Sequence, residues 1–306
     1  MQSFPRIAVV GAGRMGSSLC RWIAASRLPL AAVVSRSLRS ARALQRRSGA
    51  ANSATLDRWN ITAEIVLLAV PDDAIAGTAQ SLADQPVPWQ GVVVLHTSGA
   101  QSSALLEPLR RRGAAVGSLH PLMTFPRQTT VMPEGLVFGV EGDARATRAA
   151  RRLVRRWGGR ALVLRPEQKA AWHLAATLAC PLSVVPFAAA LEVLRRAGLD
   201  SAALRTAQAG LLQLLQQTAR NLANGPEAAW TGPFARGDVR TVLSHLKVLQ
   251  DSPALANYYQ AAAGAALTLL PSQAPDEIAA ALETDKKRAR TGMRSRGRTV
   301  IGKRKS

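Results

Sequence analysis

Three glycines near the N-terminus have the spacing of a nucleotide-binding turn. They lie in Gly11-Ala12-Gly13-Arg14-Met15-Gly16, between the apolar run Ile7–Val10 and a helix-like segment. The first glycine permits a tight turn, the second lets the backbone approach a pyrophosphate, and the third lets helix and strand pack closely. The helix N-terminus adds N–H groups and the positive end of its dipole. We therefore predict that a dinucleotide binds at Gly11, Gly13, Arg14, Met15 and Gly16.

The end of the next apolar run, Leu30–Val34, indicates which dinucleotide is bound. NAD enzymes carry an acid at this place for the ribose 2′-hydroxyl. This chain has Ser35, Arg36 and Ser37 instead, and no Asp or Glu occurs before Asp57. A guanidinium flanked by hydroxyls suits a 2′-phosphate, because arginine binds phosphate oxygens bidentately. We predict NADP as the cofactor, with these three residues at its phosphate.

Polar residues also follow later apolar runs, where ligands of open α/β sheets lie. Val70-Pro71 follows the third run, and Thr97-Ser98-Gly99 follows the fourth. Both segments are predicted to contact the cofactor, since no acid–base partner flanks Thr97 or Ser98 as a nucleophile would require. His120 follows the fifth run, where it either binds a substrate carbonyl or carboxylate or only holds its loop.

Two further segments carry candidate chemistry. Lys169 and His173 stand one helical turn apart, so both project from one face of a helix. The positive end of the helix dipole lowers the pKa of a lysine in the first turn, which makes Lys169 a candidate proton donor near neutral pH; the alternative is an ordinary surface lysine. Downstream, Arg236 could bind a substrate carboxylate. Asp238 precedes another helix and suits either its N-cap or a substrate contact. His245, within that helix, is expected to be structural.

These residues require a scaffold, which the apolar pattern predicts. Apolar runs alternate with helical periodicity up to residue 165, and alanine, leucine and glutamine dominate afterwards. The first pattern predicts a doubly wound, largely parallel sheet of the Rossmann type, and the second predicts an all-α domain. A long helix is expected from Pro166 to about Arg196. We predict a nucleotide-binding domain at 1–165, a helical substrate and dimerisation domain at 166–285, and a basic tail at 286–306.

Composition and charge limit the possible partners. The chain has 306 residues and a net charge of +21, and ten Lys or Arg lie between Lys286 and Ser306, which leaves +11 on residues 1–285. That tail reads as disordered and could bind nucleic acid by phosphate charge alone. We expect no apolar run to be long enough to span a membrane, and Met1–Pro5 is expected to leave no room for a signal peptide. Two cysteines suit the cytoplasm, and four scattered histidines predict no metal site.

Five segments in order carry a family resemblance. They are the glycine turn at 11–16, His96-Thr97-Ser98-Gly99, His120-Pro121-Leu122-Met123-Thr124-Phe125, Lys169-x-x-x-His173, and Thr231-Gly232-Pro233-Phe234-Ala235-Arg236-Gly237-Asp238. Over roughly residues 5–265 the chain resembles a bacterial family of Rossmann-like oxidoreductases whose second domain has no known function. That family is related to 6-phosphogluconate dehydrogenase, ketopantoate reductase, pyrroline-carboxylate reductase and prephenate dehydrogenase.

The resemblance implies an NADPH-dependent reductase with its active site between the domains and with Lys169 as proton donor. It implies a small 2-oxo acid as substrate, with ketopantoate as the specific candidate. Independently of the resemblance, the helices of 166–285 carry more apolar surface than one small bundle needs, which predicts a homodimer formed through this domain. One segment departs from the family, since Cys180-Pro181 stands where a Ser-Asn pair is usual. Proline cannot donate the asparagine's hydrogen bond and should kink the helix. Alternatives are a prephenate-type dehydrogenase, an imine reductase, or a regulator or nucleic-acid-binding protein that has lost catalysis.

Overall fold

A computed structural model describes residues 4–59, 62–126 and 131–284. The chain divides into two compact units, Met1–Pro181 and Leu182–Ser306. The boundary predicted at residue 165 stays a prediction, but the helix that begins at Lys169 belongs to the first unit. The basic segment 286–306, for which disorder and nucleic-acid binding were predicted, lies outside the described residues.

The first unit is built on one eight-stranded sheet with the strand order β3-β2-β1-β4-β5-β6-β7-β8. The strands are β1 (Ile7–Val10), β2 (Leu30–Val34), β3 (Asn52–Ala54), β4 (Ile65–Leu68), β5 (Val93–His96), β6 (Ala115–Pro121), β7 (Val137–Gly142) and β8 (Arg160–Val163). All neighbouring strands are parallel except β6 and β7, which are antiparallel. The predicted doubly wound, largely parallel sheet is confirmed.

Helices cover both faces of this sheet. They are α1 (Arg14–Ala25), α2 (Leu38–Ser48), α3 (Ile75–Ala83), α4 (Glu107–Arg111) and α5 (Ala144–Arg156), whereas α6 (Lys169–Ala179) follows β8 and buries only Lys169. Because successive strand residues point to opposite faces, Val9 contributes to one apolar core and Val10 to the other. The residues of both cores are buried, so the strands whose carboxyl ends carry the site are fixed by packing on both faces of the sheet.

The structure corrects the expected end of the fifth apolar run. Ser118, Leu119 and His120 do not follow a strand but lie within β6, which continues to Pro121. The parallel pairing with β5 ends at Ser118, opposite His96, whereas antiparallel pairing with β7 continues and places Pro121 opposite Phe138. The backbone hydrogen bonds from β7 therefore keep the chain extended to Pro121, beyond the strand end that the apolar run predicted.

The long helix predicted from Pro166 to Arg196 is interrupted at Cys180 and Pro181. α6 ends at Ala179, a short 3-10 turn follows at Pro181–Ser183, and α7 (Val184–Arg196) then begins. Proline has no backbone N–H and clashes with the preceding turn, which explains the break. By length and composition alone, the stretch Pro166–Arg196 is apolar enough to cross a membrane, contrary to the expectation from the sequence, and the turn at Pro181–Ser183 divides it into two shorter helices.

The second unit is helical, as predicted. Its helices are α7, α8 (Ser201–Asn221), α9 (Pro226–Ala229), α10 (Val239–Leu249) and α11 (Pro253–Leu269), and residues 275–284 are also helical. A small apolar core joins α10, α11 and the last of these segments through Val242, Leu246, Ala263, Ile278 and Leu282. By contrast, α7 and α8 contain no buried residue.

Candidate active site

The glycine turn has the geometry that its spacing predicted. Gly11 has a φ of +112°, and a Cβ there would lie 2.2 Å from the carbonyl oxygen of Ala69. A Cβ on Gly16 would lie 1.8 Å from the carbonyl oxygen of Gly11, so both positions require glycine. Nothing lies within 4 Å of the position of a Cβ on Gly13.

The N-terminus of α1 is correspondingly suited to an anion. No side chain caps the helix, and its first turn contains no acid. Backbone N–H groups at a helix N-terminus that lack such a cap bind phosphate readily, with help from the helix dipole. The open space at Gly13 and this uncapped end fit a pyrophosphate. Arg14 is exposed there and Met15 is half-buried.

At the end of β2 the three predicted phosphate ligands differ in their surroundings. Arg36 is exposed, and Ser35 is half-buried with its backbone N–H bonded to the carbonyl oxygen of Ala54. The hydroxyl of Ser37 caps α2 by accepting a hydrogen bond from the Ser40 N–H at 3.4 Å. A phosphate role for these residues stays a prediction, in which Arg36 supplies the charge.

One cavity of about 420 Å³ joins the glycine turn to the candidate chemistry. Its lining consists of Gly13, Arg14, Met15, Ala69, Val70, Pro71, Asp72, Thr97, Ser98, Gly99, His120, Met123, Phe125 and His173. Most of the predicted site residues of the first unit therefore meet at this cavity. The exceptions are Gly11 and Gly16, which shape the turn, the segment 35–37, and Lys169.

Lys169 lies in the wall behind the cavity rather than on its surface. It is the first residue of α6 and is 1% exposed. Its Nζ donates hydrogen bonds to the carbonyl oxygen of Ser98 at 2.8 Å and to Oγ of Ser118 at 2.9 Å. The lysine thus contacts the backbone of the turn whose other side lines the cavity.

Behind Lys169 lies a carboxylate that sequence reasoning missed. Glu141, 1% exposed on β7, accepts a hydrogen bond from Oγ of Ser118 at 3.3 Å. It also accepts bonds from the backbone N–H of Ser103 at 2.8 Å and from its hydroxyl at 2.7 Å. Burial lowers the pKa of Lys169 to about 8, although the charges of Glu141 and Asp72 oppose this shift. The only sequence signal for Glu141 is an acid in an apolar run.

Two imidazoles lie against Gly99 at the cavity. A Cβ on Gly99 would lie 2.7 Å from Nε2 of His120 and 2.8 Å from Cδ2 of His173, so only glycine fits between them. Burial, together with the charges of Lys169 and His173, lowers the pKa of His120 to about 4. His120 is therefore neutral near pH 7. The helical spacing of Lys169 and His173 does direct both side chains to the Ser98–Gly99 turn.

The turn itself is held by polar contacts. Ser98 donates from its hydroxyl to Oδ2 of Asp72 at 2.7 Å, and its backbone N–H donates to Nδ1 of His96 at 3.2 Å. The hydroxyl of Thr97 donates to the carbonyl oxygen of Leu68 at 3.3 Å. Burial, Lys169 and His120 lower the pKa of His96 to about 4. The hydroxyls of Ser98 and Thr97 thus hold the turn, and their contact with a cofactor stays a prediction.

In the second unit, Asp238 acts as the N-cap of α10. Its carboxylate accepts from the backbone N–H of Thr241 at 3.1 Å and from its hydroxyl at 2.7 Å. Arg236 is exposed in the preceding loop. His245 bonds to the hydroxyl of Tyr259 at 2.8 Å, which fits a structural role. A substrate role for Arg236 or Asp238 stays a prediction.

Across the described ranges, no group of three His, Cys, Asp or Glu side chains is placed to hold a metal ion.

We predict that Glu141→Gln lowers the pKa of Lys169 further below about 8, because it removes the carboxylate whose charge stabilises the ammonium. A titration of the lysine side chains by ¹³C NMR measures this shift. Asp143→Asn is the control, since that carboxylate pairs with Arg110 and the Val116 N–H instead. An unchanged Lys169 pKa in Glu141→Gln would contradict the assigned interaction.

Two family models match the chain. Residues 2–121 match a Rossmann-like domain, and residues 136–266 match the Domain of unknown function (DUF2520). No protein of curated function matches the chain.

Solved structures share the fold over most of the chain. A candidate NADP oxidoreductase from Bacteroides fragilis, BF3122, is 24% identical with a TM-score of 0.70, over 85% of this chain and 97% of that one. Protein TM1727 from Thermotoga maritima is 22% identical with a TM-score of 0.68, over 92% and 99%. A reductive aminase from Aspergillus terreus in complex with NADPH and ethyl-5-oxohexanoate is 17% identical with a TM-score of 0.59, over 95% of each chain. The chain therefore matches a Rossmann-like domain model followed by the DUF2520 model, the combination that its motifs indicated.

Proposed function

We propose that this protein is an NADPH-dependent oxidoreductase that reduces a small 2-oxo acid, with ketopantoate as the specific candidate substrate. The observation that carries the proposal is the single cavity lined both by the glycine turn and by His120, His173 and the Ser98–Gly99 turn. A cofactor held at Gly13 and a substrate held at His120 would meet there. Such positioning supplies much of the rate in hydride-transfer enzymes.

The sequence after β2 and the similar structures both support NADP over NAD. The segment after β2 offers Arg36 and no acid to a ribose. Two structures with a similar fold carry the same cofactor in their names, as an NADP oxidoreductase and as a complex with NADPH. A bound NADPH supplies the hydride that reduces the carbonyl carbon.

The chain's own residues supply the proton and the orientation. Lys169 uses two of its three N–H bonds on Ser98 and Ser118, and we propose that the third supplies the proton for the developing alkoxide, which requires the buried Nζ to gain contact with the cavity. Its pKa of about 8 suits an acid near neutral pH. His120, neutral and aimed at Gly99, donates a hydrogen bond to the substrate. In the described part of the chain Cys20 and Cys180 form no disulfide with each other, and we propose the cytoplasm as the place of the reaction.

We expect Lys169→Ala to lower kcat/KM for ketopantoate by about 100- to 10,000-fold, the usual contribution of a general acid. In the unsubstituted protein, kcat/KM should fall as the pH rises through about 8, because the ammonium is the acid and is lost above its pKa. NADPH oxidation followed at 340 nm (the absorbance band of the reduced nicotinamide) across a pH series measures both effects. Lys247→Ala, on α10, is the control lysine.

Retention of full activity in Lys169→Ala would exclude this lysine as the proton donor. Binding of NADPH without turnover of any 2-oxo acid would contradict the reductase proposal. The prephenate-type dehydrogenase, the imine reductase and the catalytically inactive regulator would then be the remaining candidates.

Arg36→Gln tests the cofactor assignment. We expect the Kd for NADPH to rise roughly 10- to 100-fold, since a charge-assisted hydrogen bond contributes about 1.5–3 kcal/mol. The Kd for NADH should change little, because NADH has no 2′-phosphate. Fluorescence titration measures both constants, and Arg42→Gln, an exposed arginine on the helix α2 that follows Arg36, is the control. An equal loss of affinity for NADH would show that Arg36 does not recognise the phosphate.

We also propose that the helical unit forms a homodimer. Its helices α7 and α8 expose large apolar side chains, namely Val184, Val185, Leu212, Leu214 and Leu215. Helix α8 also carries Arg205, Gln213 and Arg220, and such an amphipathic face suits a protein partner better than lipid. A second copy of the same unit offers a matching face.

Light scattering during size-exclusion chromatography should give the mass of a dimer for the unsubstituted protein. Leu214→Glu should give a monomer, because a charge would be buried in the apolar contact. Val131→Glu places the same charge on an equally exposed apolar residue of the first unit and should leave the dimer intact. A monomeric unsubstituted protein at micromolar concentration would overturn the proposal.

A further inference from the structure

Trp172 forms a hydrogen bond with His120 that has no role in the mechanism proposed above. The indole Nε1 of Trp172 donates a hydrogen bond to Nδ1 of His120 at 2.9 Å, and the two rings are nearly perpendicular at 87°. Trp172 lies between Lys169 and His173 on α6, whereas His120 lies on β6. The sequence motifs single out the histidine but not the tryptophan.

This contact determines where the proton of His120 resides. An indole N–H can only donate a hydrogen bond, so Nδ1 of His120 must be the acceptor and carry no proton. In a neutral imidazole the other nitrogen then carries it. The depressed pKa of His120 agrees with a neutral ring. His120 therefore holds its proton on Nε2.

Two glycines make this arrangement possible. Gly139 lies opposite His120 in the β6–β7 pair, and a Cβ there would lie 2.8 Å from Nε1 of Trp172. The absent side chain leaves room for the indole to reach the imidazole. On the other edge of the ring, Nε2 faces Gly99, whose missing side chain leaves Nε2 next to the cavity.

We infer that Trp172 is a positioning residue that holds His120 as an Nε2–H donor, so that the site selects substrates with a hydrogen-bond-accepting oxygen at the reacting centre. This inference rests on the proposed reductase function and deepens it. A carbonyl oxygen accepts from Nε2–H. A protonated imine nitrogen is itself a donor and would face another donor.

The Nε2–H tautomer also prevents His120 from acting as a base. Nε2 already carries a proton, so it cannot accept one from a substrate hydroxyl, as the oxidation of an alcohol would require. In the reductive direction His120 keeps its proton throughout and only stabilises the oxygen, while the proton that this oxygen gains comes from Lys169. The geometry thus favours carbonyl substrates over iminium ions and alcohols.

The test observes the ring nitrogens directly. Protein labelled with ¹⁵N in its histidine rings gives long-range ¹H–¹⁵N spectra that show which nitrogen carries the proton, and His120→Asn assigns the signal. We expect a single Nε2–H form near pH 7 in the unsubstituted protein. Trp172→Phe, which keeps an aromatic ring but loses the donor, should give a mixture of both tautomers.

The pKa of His120 should also rise in Trp172→Phe, because the lost bond had stabilised the neutral ring. Lys169, His173 and His96 also act on this ring and are unchanged in the variant. Trp157→Phe is the matched control, since the buried Nε1 of Trp157 has no hydrogen-bond partner in the described part of the chain. Gly139→Ala should reproduce the effect of Trp172→Phe by displacing the indole.

An Nδ1–H form in the unsubstituted protein, or an unchanged tautomer in both Trp172→Phe and Gly139→Ala, would overturn the inference. In parallel, kcat/KM for the 2-oxo acid should fall about 3- to 10-fold in Trp172→Phe, as for one neutral hydrogen bond, with the Kd for NADPH unchanged. The two proposals fail separately. A pure Nε2–H form without any 2-oxo acid turnover would contradict the proposed function, whereas turnover with an Nδ1–H form would contradict only this inference.

Discussion

The burial of one ammonium group constrains most of the first unit. Moving a charged amine out of water costs several kcal/mol unless partners surround it. Lys169 Nζ has the Ser98 carbonyl and the Ser118 hydroxyl as direct partners, and Glu141 lies behind that hydroxyl. These partners come from the turn after β5, from β6 and from β7, so a single side chain holds the start of α6 against three neighbouring parts of the sheet.

The antiparallel pairing of β6 and β7 creates the surroundings of that lysine. Its register places Glu141 opposite Ser118 and Gly139 opposite His120. Paired residues of an antiparallel ladder lie on the same face, and alternate residues of a strand share a face. All four residues therefore face the same side, where α6 brings Lys169 and Trp172. A parallel β7 would give neither the longer β6 nor this register.

Helix periodicity and missing side chains complete the arrangement. On α6, Trp172 and His173 follow Lys169 by three and four residues. This spacing places all three on one side of the helix, which directs them toward the sheet. The indole and the imidazoles then occupy space that side chains at Gly139 and Gly99 would fill. The polar chemistry of the site thus depends on two positions that have no side chain.

The sequence by itself determined the features that arise within one element or between neighbours along the chain. The glycine turn, the alternation of strands and helices, the break at Pro181, the N-cap at Asp238 and the shared face of Lys169 and His173 all follow from local sterics and periodicity. Glu141, Trp172 and the full length of β6 could not be predicted in this way. Their roles depend on which strands pair and in what register, and that pairing is decided by contacts between residues far apart in the chain. Only the tertiary structure therefore decided that an acid in an apolar run supports a lysine, and that a tryptophan sets the tautomer of a histidine.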